Sequence, residues 1–142
     1  MTPDQLFAIC NPLALVGWII LVVAGRMRWA AALVTGAIIP ALFAIVYTAL
    51  ILAHWHESTG NFSTLSGVAA LFQNHWLLLA GWIHYLAFDL FIGSWEVRDS
   101  AKHKISHWLV IPCLFATFMF GPIGLLLYFV LRTARIRSLV LE

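Results

Sequence analysis

The stretches LFAICNPLALVGWIILVVAG, residues 6–25, and WAAALVTGAIIPALFAIVYTALILA, residues 29–53, contain no charged residue and no His, and only Arg26, Met27 and Arg28 separate them. Each is long enough to carry an α-helix across ~30 Å of hydrocarbon, which takes ~20 apolar residues. The start of the chain has neither the basic segment nor the small-residue cleavage site of a secretory signal, so the first run is read as a span. Two further runs follow. Residues 76–95 are interrupted only by His84 and Asp89, and residues 107–131 hold no Asp, Glu, Lys or Arg. The expected fold is an all-α integral membrane protein, a four-transmembrane-helix bundle in which residues 1–142 form one membrane domain.

Composition supports this and excludes other classes. Of the 142 residues, 63% are hydrophobic and 10% charged, and mean hydropathy is +0.95, whereas soluble domains are near half apolar and a quarter charged. Such hydrophobicity rules out a disordered chain, and two Cys are too few for a disulfide scaffold. A net charge of +2 gives no electrostatic footprint for nucleic acid.

Tryptophans favour the headgroup level, and Trp29, Trp55, Trp76, Trp95 and Trp108 all fall at ends of the proposed spans. With four spans both termini share one side with the loop 54–75. Arg132, Arg135 and Arg137 then oppose Arg26, Arg28, Arg98, Lys102 and Lys104, a margin of five to three that places the termini outside. Within the loop, Phe62, Leu65, Val68, Ala69, Leu71 and Phe72 follow a helical period and predict a short interfacial helix. Cys10 and Cys113 fall near opposite faces, beyond the reach of a disulfide. Gly121-Pro122, in the middle of the last span, predicts either a bend beside a cavity or a packing kink, because the proline frees a carbonyl that needs a partner in lipid.

Chemistry is expected from the third span, which carries His84 and Asp89. An Asp at the centre of a membrane helix costs about 2.5–3.5 kcal/mol, so it is expected to face inward toward a partner, with Asn11 of the first span a candidate. At 100° per residue, His84 and Asp89 lie about 140° apart but can flank one cavity. Asp89 and Glu96 share a face, and Asp99, His103 and His107 would follow if the helix ran on; Asp99-Ser100 and the Lys102-His103-Lys104 run instead suggest a turn near 97–106. His84, Asp89, Asp99 and His107 form a candidate ligand set for a divalent metal, although no H-E-x-x-H or C-x-x-C spacing is present.

The run Gly81-Trp82-Ile83-His84-Tyr85-Leu86-Ala87-Phe88-Asp89-Leu90-Phe91-Ile92-Gly93, then Asp99, His107, Pro112-Cys113-Leu114 and Phe120-Gly121-Pro122-Ile123-Gly124-Leu125-Leu126-Leu127-Tyr128, resembles the abscisic-acid-deficient-four-like membrane family. Asn11, Ala14-Leu15 and Trp18 extend the resemblance to the start of the chain. That family is typified by plant plastid proteins required to make neoxanthin from violaxanthin, and its bacterial members have no settled role. The resemblance singles out His84, Asp89, Asp99 and His107, while Glu96 and His103 are not part of the pattern. It implies a bacterial-type homologue of the inner membrane that handles membrane lipid or carotenoid, alone or as a homo-oligomer, and not nucleic acid. The implied reaction isomerises a 5,6-epoxide to an allenic alcohol, with Asp89 as acid and His84 as base. Asn11, Trp18, Trp82, Tyr85 and Phe88 would line the slot for the substrate. Two other classes are a non-catalytic pigment- or lipid-binding or complex-stabilising subunit, and an intramembrane metalloprotein.

Overall fold

The computed structural model describes residues 1–136, all of whose regular structure is helical. Helix α1 (Pro3–Ala24) starts with a reciprocal cap: Gln5 N donates to Thr2 Oγ1 at 3.2 Å and Thr2 N donates to Gln5 Oε1 at 2.9 Å. The second long helix is a π-helical stretch, Ala30–Ile38, running into α2 (Ile39–His54) and a final turn, Trp55–Glu57. Pro40 lacks the N–H that would bond back to Gly36, and the widened turns lie just before it. The loop helix α3 (Leu65–Leu71) is capped by Thr64, whose hydroxyl oxygen accepts from Gly67 N at 3.0 Å, and it realises the short helix expected there.

Helix α4 (His75–Lys102) is central and packs against α1, α2 and the two later helices. Small residues allow the approach of α1. A methyl group added at Gly93 would lie 2.7 Å from Trp18 Cζ3, and one added at Gly17 would lie 2.7 Å from Leu90 Cδ2. Where lipid supplies no hydrophobic drive between helices, such close backbone contact is a main source of attraction. α4 also runs past the expected end at residue 95, so the turn is confined to 103–106 and Trp95 is not terminal. Its ring packs edge-on against Tyr128 at 5.3 Å.

The expected fourth span, 107–131, is not one helix. It divides into α5 (His107–Phe120) and α6 (Pro122–Ile136), of 14 and 15 residues. At 1.5 Å per residue α5 is about 21 Å long and the described part of α6 about 23 Å, each short of ~30 Å of hydrocarbon. Three helices, Pro3–Ala24, Ala30–Glu57 and His75–Lys102, are long and apolar enough to cross a membrane. The two arms pack on each other as a hairpin. Near its start, Ile105 O accepts from the Arg26 guanidinium and His107 Nε2 lies 2.9 Å from Val22 O, at the end of α1. Its tip, Gly121, rests on Asp89, and its return arm brings Tyr128 and Arg132 back to Asp99 near the end of α4.

This path changes the expected sidedness of the C-terminal arm. Arg132 and Arg135 lie at the same end of the bundle as Arg26, Arg28, Arg98, Lys102 and Lys104, so that end holds every described Lys and Arg. Arg137 lies outside the described residues. Asp4 and Glu57 sit at the opposite end. The five-to-three margin becomes a one-sided distribution, for which the positive-inside rule predicts a cytoplasmic basic end. In a variant whose native cysteines are replaced by Ala, Ser63→Cys should react with an impermeant maleimide on intact cells. Lys102→Cys and Arg135→Cys should react only after permeabilisation. Labelling of Arg135→Cys from outside would show that α6 crosses instead of returning.

Candidate functional site

Trp82, Tyr85, Asp89, Glu96 and Asp99 recur at spacings of three, four, seven and three along α4, so one stripe of this helix carries them toward α1 and the hairpin. At the half of the stripe nearer the start of α4 lies a groove of about 470 Å³ between α1, α4 and the end of α5, lined by Asn11, Trp18, Trp82, Tyr85, Asp89 and Phe118 among others. Trp82 Nε1 donates to Asn11 Oδ1 at 2.7 Å, which ties the first helix to the fourth across the groove. Asn11, Trp18, Trp82 and Tyr85 are thus brought together with Asp89, as the sequence suggested.

The floor is built by the helix break. Pro122 has no N–H, so Phe118 O lacks its partner one turn later, and the Tyr85 hydroxyl donates to it at 3.1 Å. Gly121 adopts φ 52°, in the region that favours glycine, and a methyl group added there would lie 3.0 Å from Asp89 Oδ1. Asp89 is half-buried, with Oδ2 buried and without a hydrogen-bond partner. The Tyr85 hydroxyl is its polar neighbour.

His84 and Phe88 are placed elsewhere. His84 is exposed, packed between Tyr47 and Phe88 at ring distances of 5.7 and 4.6 Å, and does not line the Asp89 groove. The expectation that it faces the interior is corrected: the 140° offset from Asp89 puts it on the other side of α4. Phe88 lines a separate apolar depression with Gly36, Pro40 and Phe91.

Below the groove the stripe becomes an interior polar column. Glu96 is fully buried; Oε1 accepts from the Thr117 hydroxyl at 2.9 Å, and Oε2 has no partner. Asp99 Oδ2 accepts from the Tyr128 hydroxyl at 2.7 Å and from Arg132 Nε at 2.8 Å, while Oδ1 lies 3.4 Å from His103 Nδ1. Tyr128 and Arg132 were not expected here. The seven-residue step from Asp89 pointed to Glu96, but Arg132 read as part of a basic tail. The proposed metal set is not assembled, because Asp99 is held by Arg132, His107 reaches α1, and His84 points away. Among the described residues no three His, Cys, Asp or Glu side chains are grouped to hold a metal ion. Cys10 and Cys113 are free and buried.

Three helices of membrane length, a returning hairpin and a carboxyl under an apolar groove define a small helical protein of the membrane class, built around acidic side chains in its interior. The family model described as ABA DEFICIENT 4-like matches residues 5–128, and the chain belongs to that family. The matched segment contains the whole groove, the hairpin turn and Tyr128, and stops before Arg132. No curated protein and no solved structure gives a significant match.

Removing one partner of a buried ion pair strands the other charge. Arg132→Ala should therefore destabilise the protein by about 3–5 kcal/mol, whereas Asp99→Leu combined with Arg132→Met should cost less than the single change. Thermal unfolding in detergent compares the two. Gly121→Ala meets both the φ cost and Asp89, and should cost about 1–3 kcal/mol in the same assay.

Proposed function

We propose that the groove between α1, α4 and α5 takes the end group of a long apolar isoprenoid of the carotenoid type, and that Asp89 acts on an epoxide there as both proton donor and proton acceptor. The observation that carries this reading is the single carboxyl at an apolar groove walled by Trp18, Trp82 and Tyr85. Family membership supports a carotenoid- or neoxanthin-related role. In this reading the three long helices cross the membrane, and the α5–α6 hairpin enters from the cytoplasmic end and turns back at mid-depth to complete the bundle. The groove opens toward lipid, so an end ring enters it while the polyene lies along the helices.

The proton balance needs no second side chain. The Tyr85 hydroxyl stands between Phe118 O, to which it donates, and Asp89, and while it makes that bond it offers lone pairs to a carboxyl that carries its own proton. That proton passes to the epoxide oxygen as the C–O bond on the polyene side breaks. The second carboxyl oxygen takes the proton of the adjacent polyene carbon, and the C–H electron pair becomes the new double bond of the allene. Asp89 ends protonated, as it began, and no oxidant or reductant is consumed. His84, the base implied by the resemblance, has no place in this step because it does not line the groove.

A non-catalytic pigment-binding role is the second reading. It is favoured by the absence of any other acid or base than Asp89 and Tyr85 among the residues lining the groove. Expression in the inner membrane of a bacterium accumulating epoxy-carotenoids separates the two. Wild type should yield the allenic isomer, Asp89→Asn should fold but lose activity by about 10²–10⁴-fold, and His84→Ala should retain it. Pigment retained unchanged by wild type and Asp89→Asn alike would establish the binding role and refute the catalytic one.

A further inference from the structure

The basic end of the bundle carries a second cavity, of about 440 Å³, distant from the Asp89 groove in the fold and lined by none of its residues. Four cations converge on it. Arg26 and Arg28 come from the turn after α1, and Arg98 and Lys102 stand one turn apart on the last two turns of α4. The remaining walls are Gly25, Ala31, Ala32, Val97 and Ala101, small or apolar side chains that leave the space open. Among the described residues no carboxylate lines it. Two of the arginines are oriented by backbone: the Arg26 guanidinium donates to Ile105 O, and Arg98 Nε donates to Ser94 O at 3.2 Å.

Cations at cytoplasmic helix ends are expected from membrane topology alone. Topology needs only their side of the membrane, and Lys104 and Arg135 meet it without joining the cavity. It does not require four of them to surround one opening. Ala31 and Ala32 belong to the first turn of the second long helix, so the positive end of that helix's dipole borders the same space. Three of the four cations are Arg, whose planar fork matches phosphate oxygens in pairs. Basic pockets between membrane helices on the cytoplasmic side are suited to lipid head groups.

We propose that this cavity binds a phosphate-bearing anion at the cytoplasmic surface, either the headgroup of an anionic phospholipid or a free phosphate or diphosphate. The site is independent of the Asp89 chemistry and stands whether or not the protein is an enzyme.

The test follows thermal unfolding of the full chain in a neutral detergent, with three probes: phosphatidylglycerol in mixed micelles, phosphatidylcholine at the same fraction, and inorganic diphosphate. A ligand held only by the folded state raises the unfolding midpoint. Phosphatidylglycerol should raise it by about 3 °C or more and phosphatidylcholine should not. Arg28→Gln with Arg98→Gln should lose most of that shift, while Lys104→Gln with Arg135→Gln, which removes the same charge outside the cavity, should keep it. If diphosphate gives the shift and phosphatidylglycerol does not, with the same dependence on Arg28 and Arg98, the ligand is the soluble anion and the site stands. Native mass spectrometry of the same samples counts bound anions in case the cavity variant is less stable. No shift with either anionic probe, or an equal shift in both double variants, overturns the proposal.

Discussion

A helix broken inside an apolar environment leaves a carbonyl without its donor, and the architecture is organised around how that carbonyl is satisfied. Pro122 strips Phe118 O of its partner, and the Tyr85 hydroxyl, arriving from the middle of α4, replaces the missing N–H. This fixes the tip of the hairpin against the centre of the central helix. Gly121 is needed at the reversal both for its φ of 52° and because Asp89 leaves no room for a methyl group. Once the chain reverses there, α6 must run back along α4, and Tyr128 and Arg132 meet Asp99 as a result. The arrival of Arg132 and Arg135 at the cationic end of the bundle is therefore a consequence of one proline and one glycine at its middle.

The two ends of the acidic stripe play different physical parts. Asp99 is saturated, with a tyrosine hydroxyl and a guanidinium on one oxygen and an imidazole near the other. A carboxylate and a guanidinium buried together repay their desolvation only with close geometry and further hydrogen bonds, which is the arrangement observed. It pins the return arm of the hairpin to α4. Among the described residues no cation pairs with Asp89, which borders open apolar space, while Glu96, between them, accepts from Thr117 through one oxygen and leaves the other unpartnered. The column thus passes from a satisfied structural pair at the basic end to a carboxyl with an unpartnered oxygen at the groove.

Much of this was legible in the sequence, and the misses have specific causes. Charge-free runs of sufficient length identify the first two spans because length and polarity are all that crossing requires. The slot of Asn11, Trp18, Trp82, Tyr85 and Phe88 was implied by the resemblance, and of these all but Phe88 line the groove with Asp89. Hydropathy could not reveal the hairpin, since both of its arms are as apolar as a straight span would be. Gly121-Pro122 signalled a bend, but whether a bend becomes a reversal depends on what lies against it, here Asp89 and Tyr85 of another helix. Arg132 was read as part of a tail for the same reason: a straight span would have carried it out of the bundle, whereas the reversal carries it to Asp99. The end of α4 was placed early because Asp99-Ser100 resembles a helix start, yet Asp99 bonds across to α6 rather than capping a new helix.

The placement of His84 narrows the chemistry more than any added residue would. A mechanism with separate acid and base needs two groups on opposite sides of one substrate, and the fold supplies one carboxyl and a tyrosine whose proton is already used. A carboxyl has two oxygens that differ by one proton, so it can return a proton to a substrate on the same side from which it removes another. That restricts it to reactions whose two proton transfers occur on neighbouring atoms of one face. Opening an epoxide toward an adjacent C–H bond satisfies the restriction, and hydrolysis or ring closure across a longer distance does not. On the proposed reading, one half-buried carboxyl suits an isomerisation without net proton or electron exchange, since that reaction asks for neither water nor a second catalytic side chain.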